Sequence, residues 1–256
     1  MKFRIVSSSL TPQVLKKIKS VFGGEDTPVV LDLKDKTASC SGVIMAMVQS
    51  AQINTVVDII NIAKREYDSL FYLISDAIDS REEIPMGSAR RMVRIAREIG
   101  RVLELHENQL WILEHSCVLR DIGKLRISND ILLKKTVLTY DEWVLLQSHA
   151  RIGAHLLKEW DIFPEIAEVI ASHHECYDGD GYPEGLEGEQ IPFLSRILKV
   201  LDVYCAMTSP RKYRLGRATR EEAIEYFREE RGKHFDPQII DAFMTININE
   251  IDNDNL

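Results

Sequence analysis

This chain has no surplus of basic residues. Its 256 residues carry 32 Lys and Arg against 40 Asp and Glu, a net charge of −8. Non-specific nucleic-acid binding needs a basic footprint, so that class is excluded. A small anionic ligand is not, because a few local cations suffice for it. Cysteine is scarce. The four present, Cys40, Cys117, Cys176 and Cys205, show neither paired metal-site spacing nor a small-domain disulfide pattern. They read as free thiols of a reducing cytoplasm. Apolar runs fall far short of a membrane span, and no basic-then-apolar leader opens the chain. The expectation is a soluble, cytoplasmic protein with neither nucleic acid nor membrane as partner. Internal repeats and long disordered linkers are also absent. What the composition does supply is core: 45% of residues are apolar, enough for one large domain or a domain with a small companion.

The pattern changes along the chain. Over residues 1–64 it predicts a small α/β unit. Phe3-Arg4-Ile5-Val6 and Pro28 to Leu33 are strand-like, a helix follows Thr11-Pro12 and ends at Gly23-Gly24, and Ala51 to Ala63 is helical. From residue 65 to 245 the pattern is almost wholly helical. Leu70 to Ile78 is one amphipathic piece, and Ser88 to Gly100 another, with Met92, Ile95, Ala96 and Ile99 on one face. Thr139 and Glu142 form a capping box that opens a helix containing Trp143, Leu146 and His149. Phe163-Pro164 opens the next and Pro192 another, which carries Asp202. Thr219 and Glu222 make a second capping box, in a helix closed by Gly232. Residues 246–256 read as a polar tail.

The chemistry concentrates at residues 173–183, His-His-Glu-Cys-Tyr-Asp-Gly-Asp-Gly-Tyr-Pro. Ile166, Val169 and Ile170 recur at helical spacing, and His173 and His174 take the next positions of that stripe. Buried imidazoles need a hydrogen-bond acceptor or a metal. One histidine so placed is ordinarily a satisfied core residue. Two in succession, before a Gly-rich acidic loop, point to a site. Glu175, Asp178 and Asp180 are the residue types that shape such a turn.

This stretch resembles the HHE-x-x-DG-x-GYP signature of the HD-GYP family of bacterial cyclic di-GMP phosphodiesterases, and every fixed position is present. Asp121-Ile122-Gly123-Lys124 matches the second half of the family's His-Asp-x-Gly-Lys motif. His149, Asp202, the Arg211/Arg214 pair and the closing Gly232 to Pro237 match further fixed points, so the likeness covers residues 65–245. It implies an HD-superfamily helical domain. It also implies metal ligands at Asp121, His149, His173, His174 and Asp202, with Asp121 and Lys124 as catalytic groups. Lys124, Tyr182, Arg211 and Arg214 would contact the ligand, cyclic di-GMP or a related nucleotide. A diguanylate cyclase or another signalling protein is the implied protein partner. Phosphodiester hydrolysis uses two close metals, and imidazole with carboxylate suits iron or manganese.

The departures are as informative. The register puts Ala89 where the family has its early metal histidine, Arg120 where it has the His of the His-Asp pair, and Pro85 where some members have an extra glutamate. Two of seven core ligands are gone, both around one metal, so one ion at most is expected. A guanidinium ligates no metal and stays charged. Arg120 either fills the missing cation's place beside Asp121 and Asp202 or turns to solvent. His115 and Cys117 are weak substitutes for the lost ligands, and a small buried Cys is ordinarily core. His106, His155 and His234 read as structural or exposed. The expected function is therefore a degenerate HD-GYP-like domain, a nucleotide sensor or interaction module with impaired hydrolysis. The alternative is a phosphodiesterase with an altered metal site.

Overall fold

The computed structural model describes residues 68–82, 84, 87–159, 163–209 and 218–248. The chain divides into two compact units, Met1–Leu70 and Phe71–Leu256. The α/β unit expected over 1–64, Pro85, Arg211, Arg214 and the chain beyond residue 248 lie outside the described residues.

The fold is mainly α. Residues 68–81 are helical and form α1. There follow α2 (Ser88–Val102), α3 (Glu107–Leu119), a 3-10 turn (Ile122–Arg126), α4 (Asn129–Leu132), α5 (Tyr140–Gln147) and α6 (His149–Glu159). Then come α7 (Pro164–Ala171), a 3-10 turn (Gly188–Gln190), α8 (Phe193–Thr208), α9 (Arg220–Glu229) and α10 (Pro237–Met244). Among the described residues the only β pairing is two isolated bridges, Asp178 with Glu187 and Arg231 with Phe235.

Helix α8 is the axis, touching α2, α3, α7, α9 and α10. Its apolar positions Ile197, Leu198, Leu201 and Tyr204 are spaced for one helical stripe and are buried. Tyr204 leads into an aromatic cluster with Phe227, Phe235 and Phe243, whose neighbouring ring centroids lie 4.9–6.4 Å apart. Across the axis, Met92, Ile95, Ala96 and Ile99 of α2 are fully buried. The start of α2 needs a left-handed residue, supplied by Gly87 at φ 89°, whose N–H donates to Asp76. Both capping boxes, at Thr139/Glu142 and Thr219/Glu222, are formed.

Three local readings are corrected. The helix opened by Thr139 stops at Gln147, and His149 begins a new one after Ser148. Trp143, on the shorter helix, is half-exposed. The helix before the histidine pair ends at Ala171, so His173 and His174 sit in the turn that follows. Successive side chains on a helix diverge by about 100°. In the turn the two rings instead lie 3.9 Å apart between centroids. The packed chain also runs past the expected start of the tail. Ile246 and Ile248 are buried, and the Ile246 carbonyl accepts from Arg220.

Candidate metal centre

Two close backbone approaches assemble the site. The 3-10 turn after α3 lies directly on α6. A Cβ on Gly123 would stand 1.9 Å from the His149 carbonyl oxygen, so only glycine lets Asp121 come so near His149. In the loop after the histidine pair, a Cβ on Gly181 would stand 2.1 Å from the Cys176 nitrogen. The buried Glu175 carboxylate ties down the same loop, accepting from the Glu184 N–H at 2.7 Å and the Leu186 N–H at 3.1 Å. Tyr182, carried by that loop, stacks on His174 with centroids 4.7 Å apart.

The three histidines converge, their ligating nitrogens all within 4.8 Å of one another. Nδ1 of His149 meets the Leu146 carbonyl at 2.7 Å, and Nδ1 of His173 meets that of Ile170 at 2.6 Å. A carbonyl only accepts, so each Nδ1 carries the proton and each Nε2 presents a lone pair. His174 Nε2 lies 3.2 Å from His149 Nε2. Nε2 of His173 is buried without a hydrogen-bond partner among the described residues. Burial, with His149 beside it, pushes the His173 imidazole down to about 4. Burial and the His173 ring push His174 well below its usual range. Both are neutral near pH 7, the form that ligates a metal. An orphaned buried nitrogen beside the His149 Nε2 lone pair and His174 Nε2, with Asp121 Oδ1 3.7 Å from His149 Nε2, fits one divalent cation.

The other half of the site is organised differently. Ala89 offers only a methyl group, fully buried. Arg120, at 6% exposure, turns inward rather than to solvent. Its Nε donates to Asp202 at 2.7 Å, one terminal nitrogen lies 3.3 Å from Asp121, and the other donates to the Cys117 carbonyl at 2.8 Å. Lys124 lies 3.0 Å from Asp121 and 2.8 Å from Glu82. Burial alone would raise Asp121, but Lys124 and then Arg120 outweigh it and hold the carboxyl well below the usual range. Burial also opposes charge on Arg120 and Lys124. The carboxylates around them, Asp121 foremost, more than offset it and raise both.

Of the residues singled out in the sequence, His149, His173 and His174 are gathered around one point, with Asp121 beside His149. Asp202 is bound to Arg120, Lys124 to Asp121, and Tyr182 to the His174 face. Cys117 is buried, with only its carbonyl engaged at the site. His115 is buried against Trp111, with ring centroids 4.1 Å apart. Sequence reasoning missed Glu82, the second partner of Lys124, and Asp79, a buried carboxylate that accepts from Ser88. Burial lifts Asp79 above the usual carboxylate range. A signal existed for it: Asp79 follows Ser75 and Ile78 on the buried stripe of α1.

A family profile described as an HD domain matches residues 72–239. The cyclic di-GMP phosphodiesterase response regulator RpfG of Xanthomonas campestris is 38% identical over 185 residues, which cover 72% of this chain and 48% of that protein. A cyclic di-GMP phosphodiesterase of Thermotoga maritima is 31% identical over 187 residues, covering 71% of this chain and 50% of the other. The 3'3'-cGAMP-specific phosphodiesterase 2 of Vibrio cholerae is 28% identical over 194 residues, 75% of this chain and 36% of its own length. This chain thus spans half or less of the length of these curated relatives. The solved structure of a cyclic GMP-AMP-specific phosphodiesterase of V. cholerae, V-cGAP3, superposes with a TM-score of 0.53. It is 23% identical and covers 73% of this chain and 48% of that one, which establishes a shared fold. The chain belongs to the HD-domain family, as a divergent HD-GYP member that lacks the histidine of the His-Asp pair.

Proposed function

We propose that this domain binds cyclic di-GMP or a related cyclic dinucleotide at a centre holding a single divalent ion, iron or manganese. In this reading it acts as a nucleotide sensor or interaction module with impaired hydrolysis. The observation that carries the reading is the Arg120 guanidinium between Asp202 at 2.7 Å and Asp121 at 3.3 Å. It puts a permanent, non-ligating cation against two carboxylates that a second metal would need.

His149, His173, His174 and Asp121 would hold the ion, which when bound supplies Lewis acidity toward a phosphate oxygen. The remaining work falls to the chain's own groups. Lys124 stands beside Asp121 as a fixed positive charge for a phosphate. Arg211 and Arg214 would add charge for the same ligand, and Tyr182 offers an aromatic face. Arg120 is already engaged through all three nitrogens, so it serves as a countercharge rather than a phosphate clamp. The names of the relatives support the nucleotide class. The partner in this reading is a diguanylate cyclase or another signalling protein, and the setting is the cytoplasm. Among the described residues no helix is long and apolar enough to cross a membrane. The unit over 1–64 would be a separate input domain.

A second reading, an active phosphodiesterase with an altered site, draws support from the intact histidine trio and the orphaned His173 Nε2. Metal analysis of anaerobically purified protein, with calorimetric titration of cyclic di-GMP, tests the first. One ion per chain at most, with nucleotide binding, is expected. Two fully occupied sites favour the second reading, and no binding with metal loaded refutes both.

A further inference from the structure

Two adjacent residues at the end of α1 grip Lys124 from both ends. Arg81, the last residue of that helix, bridges three acceptors of a distant segment. One terminal nitrogen donates to the Lys124 carbonyl at 2.9 Å. The other donates to the Ile127 carbonyl at 2.9 Å and to Asn129 Oδ1 at 2.8 Å. These carbonyls close the 3-10 turn Ile122–Arg126, so the guanidinium caps its C-terminal end. Glu82, next in the chain, takes the other end of the same lysine. Its Oε1 and Oε2 lie 2.8 and 3.2 Å from Lys124 Nζ. The Lys124 and Glu82 side chains are only 14% and 20% exposed, so salt screens this pair little.

The Lys124 ammonium is shared. It also lies 3.0 Å from Asp121 Oδ1, the oxygen that faces His149 Nε2 at 3.7 Å. The second oxygen of Asp121, Oδ2, is 3.3 Å from Arg120. A cation held by the histidines therefore meets Lys124 at the Asp121 oxygen turned toward them. An ammonium and a divalent ion on one oxygen repel, and the repulsion is strong where water is largely excluded. To admit the ion, Lys124 needs another place for its charge. Glu82 offers one and is already in contact through both oxygens. A small rotation within the lysine side chain is enough, and the ammonium stays beside the centre.

We infer that Glu82 is a positioning residue of the metal centre, which takes the Lys124 ammonium when a cation takes Asp121 Oδ1. Arg81 holds the backbone on which that exchange turns. Glu82 acts through Lys124 and not on the ion itself. Without its charge, Lys124 falls back wholly on Asp121 and competes with the cation, so metal affinity drops. Outer partners of metal ligands typically change affinity about 10–100-fold. An ion pair that merely held the fold together would show no such dependence on Lys124. The inference rests on the reading of the histidine trio and Asp121 as a metal centre.

Manganese titration of the full chain, followed by loss of the free-ion paramagnetic resonance signal, tests it. Glu82→Gln keeps the shape and an acceptor for Lys124 but removes the charge. It should weaken manganese binding about tenfold or more. In a Lys124→Gln background, where no ammonium competes for Asp121, the same Glu82 change should alter affinity by less than about twofold. A crystal structure of manganese-loaded wild type adds a readout that needs no variant. Lys124 Nζ should lie farther from Asp121 Oδ1 than the present 3.0 Å and remain on Glu82. Unchanged affinity in Glu82→Gln overturns the inference. So does an equal loss with and without Lys124, or an ammonium still 3.0 Å from Asp121 Oδ1 in the loaded protein. A wild type that binds no manganese overturns the centre and the inference together, and the wild-type titration alone tells that result from the others.

Discussion

Replacing Arg120 by alanine isolates the energetics of the rebuilt half-site. In the metal-free protein the guanidinium is 6% exposed and pairs with Asp202 at 2.7 Å and Asp121 at 3.3 Å. Removing one partner of a buried ion pair typically costs about 3–5 kcal/mol, because the other charge stays dry and unpaired. Two features pull the value to the low end. Lys124 still holds Asp121 at 3.0 Å, and the Asp202 side chain is 22% exposed, so water can reach it. The expected loss is about 3 kcal/mol. For a unit of this size that lowers the melting temperature by about 6–12 °C. The assay is urea and thermal unfolding of wild type and variant in chelator. A second arm adds manganese, which should stabilise Arg120→Ala more than wild type, because a cation can now settle between the freed carboxylates. A loss below about 1 kcal/mol, the range of an exposed pair, with no extra gain from manganese, would refute the countercharge role.

Other outcomes follow from the same geometry. In metal-free protein, His173 is pushed down to about 4, whereas an unfolded histidine titrates near 6.5. Between those values the unfolded chain binds more protons, so stability should fall by about 2 kcal/mol from pH 7 to pH 5 and level off below 4. His174 is lowered in the same direction and adds to the slope. Asp121, held below its usual range, keeps its stabilisation until pH drops below about 3.8. Urea midpoints across pH 5–7 check this, and a flat profile contradicts it. Glu175→Ala strips the acceptor from two N–H groups and should cost about 2–3 kcal/mol, with exchange at Glu184 and Leu186 accelerating in the intact protein. Gly123→Ala puts a carbon 1.9 Å from the His149 carbonyl. Metal affinity should then fall at least about tenfold by titration, while wild-type affinity would show that the contact relaxes freely.

Much of this was legible because it is local. The α2 stripe of Met92, Ile95, Ala96 and Ile99 and the two Thr/Glu capping boxes depend on spacing alone, and each formed as read. The resemblance named His149, His173, His174 and Asp121, and the structure sets the three histidines within 4.8 Å of one another with Asp121 beside His149. Charge and adjacency suggested that Arg120 would serve Asp121 and Asp202. What stayed hidden depends on packing between distant segments. Nothing near Lys124 announces Glu82, 42 residues earlier. The break at Ser148 carries no Gly or Pro, so the helical spacing read through it and put Trp143 and His149 in one helix. The turn at residues 172–174 likewise breaks a stripe that the sequence alone continues. Ile246 and Ile248 looked like a tail because Asn and Asp surround them. They are buried because they alternate with those polar residues and seat beside Arg220.

The most direct test is the anaerobic hydrolysis rate of cyclic di-GMP by wild type and by Ala89→His with Arg120→His, both loaded with iron or manganese. Wild-type turnover is expected well below about 1 per second, the lower end of ordinary enzymes. The double variant should bind a second ion and turn over at least about tenfold faster, whereas Arg120→His alone, still facing the methyl group of Ala89, should not. Wild-type turnover at or above about 1 per second, with no gain from the double change, would contradict the claim that Arg120 stands in for a metal.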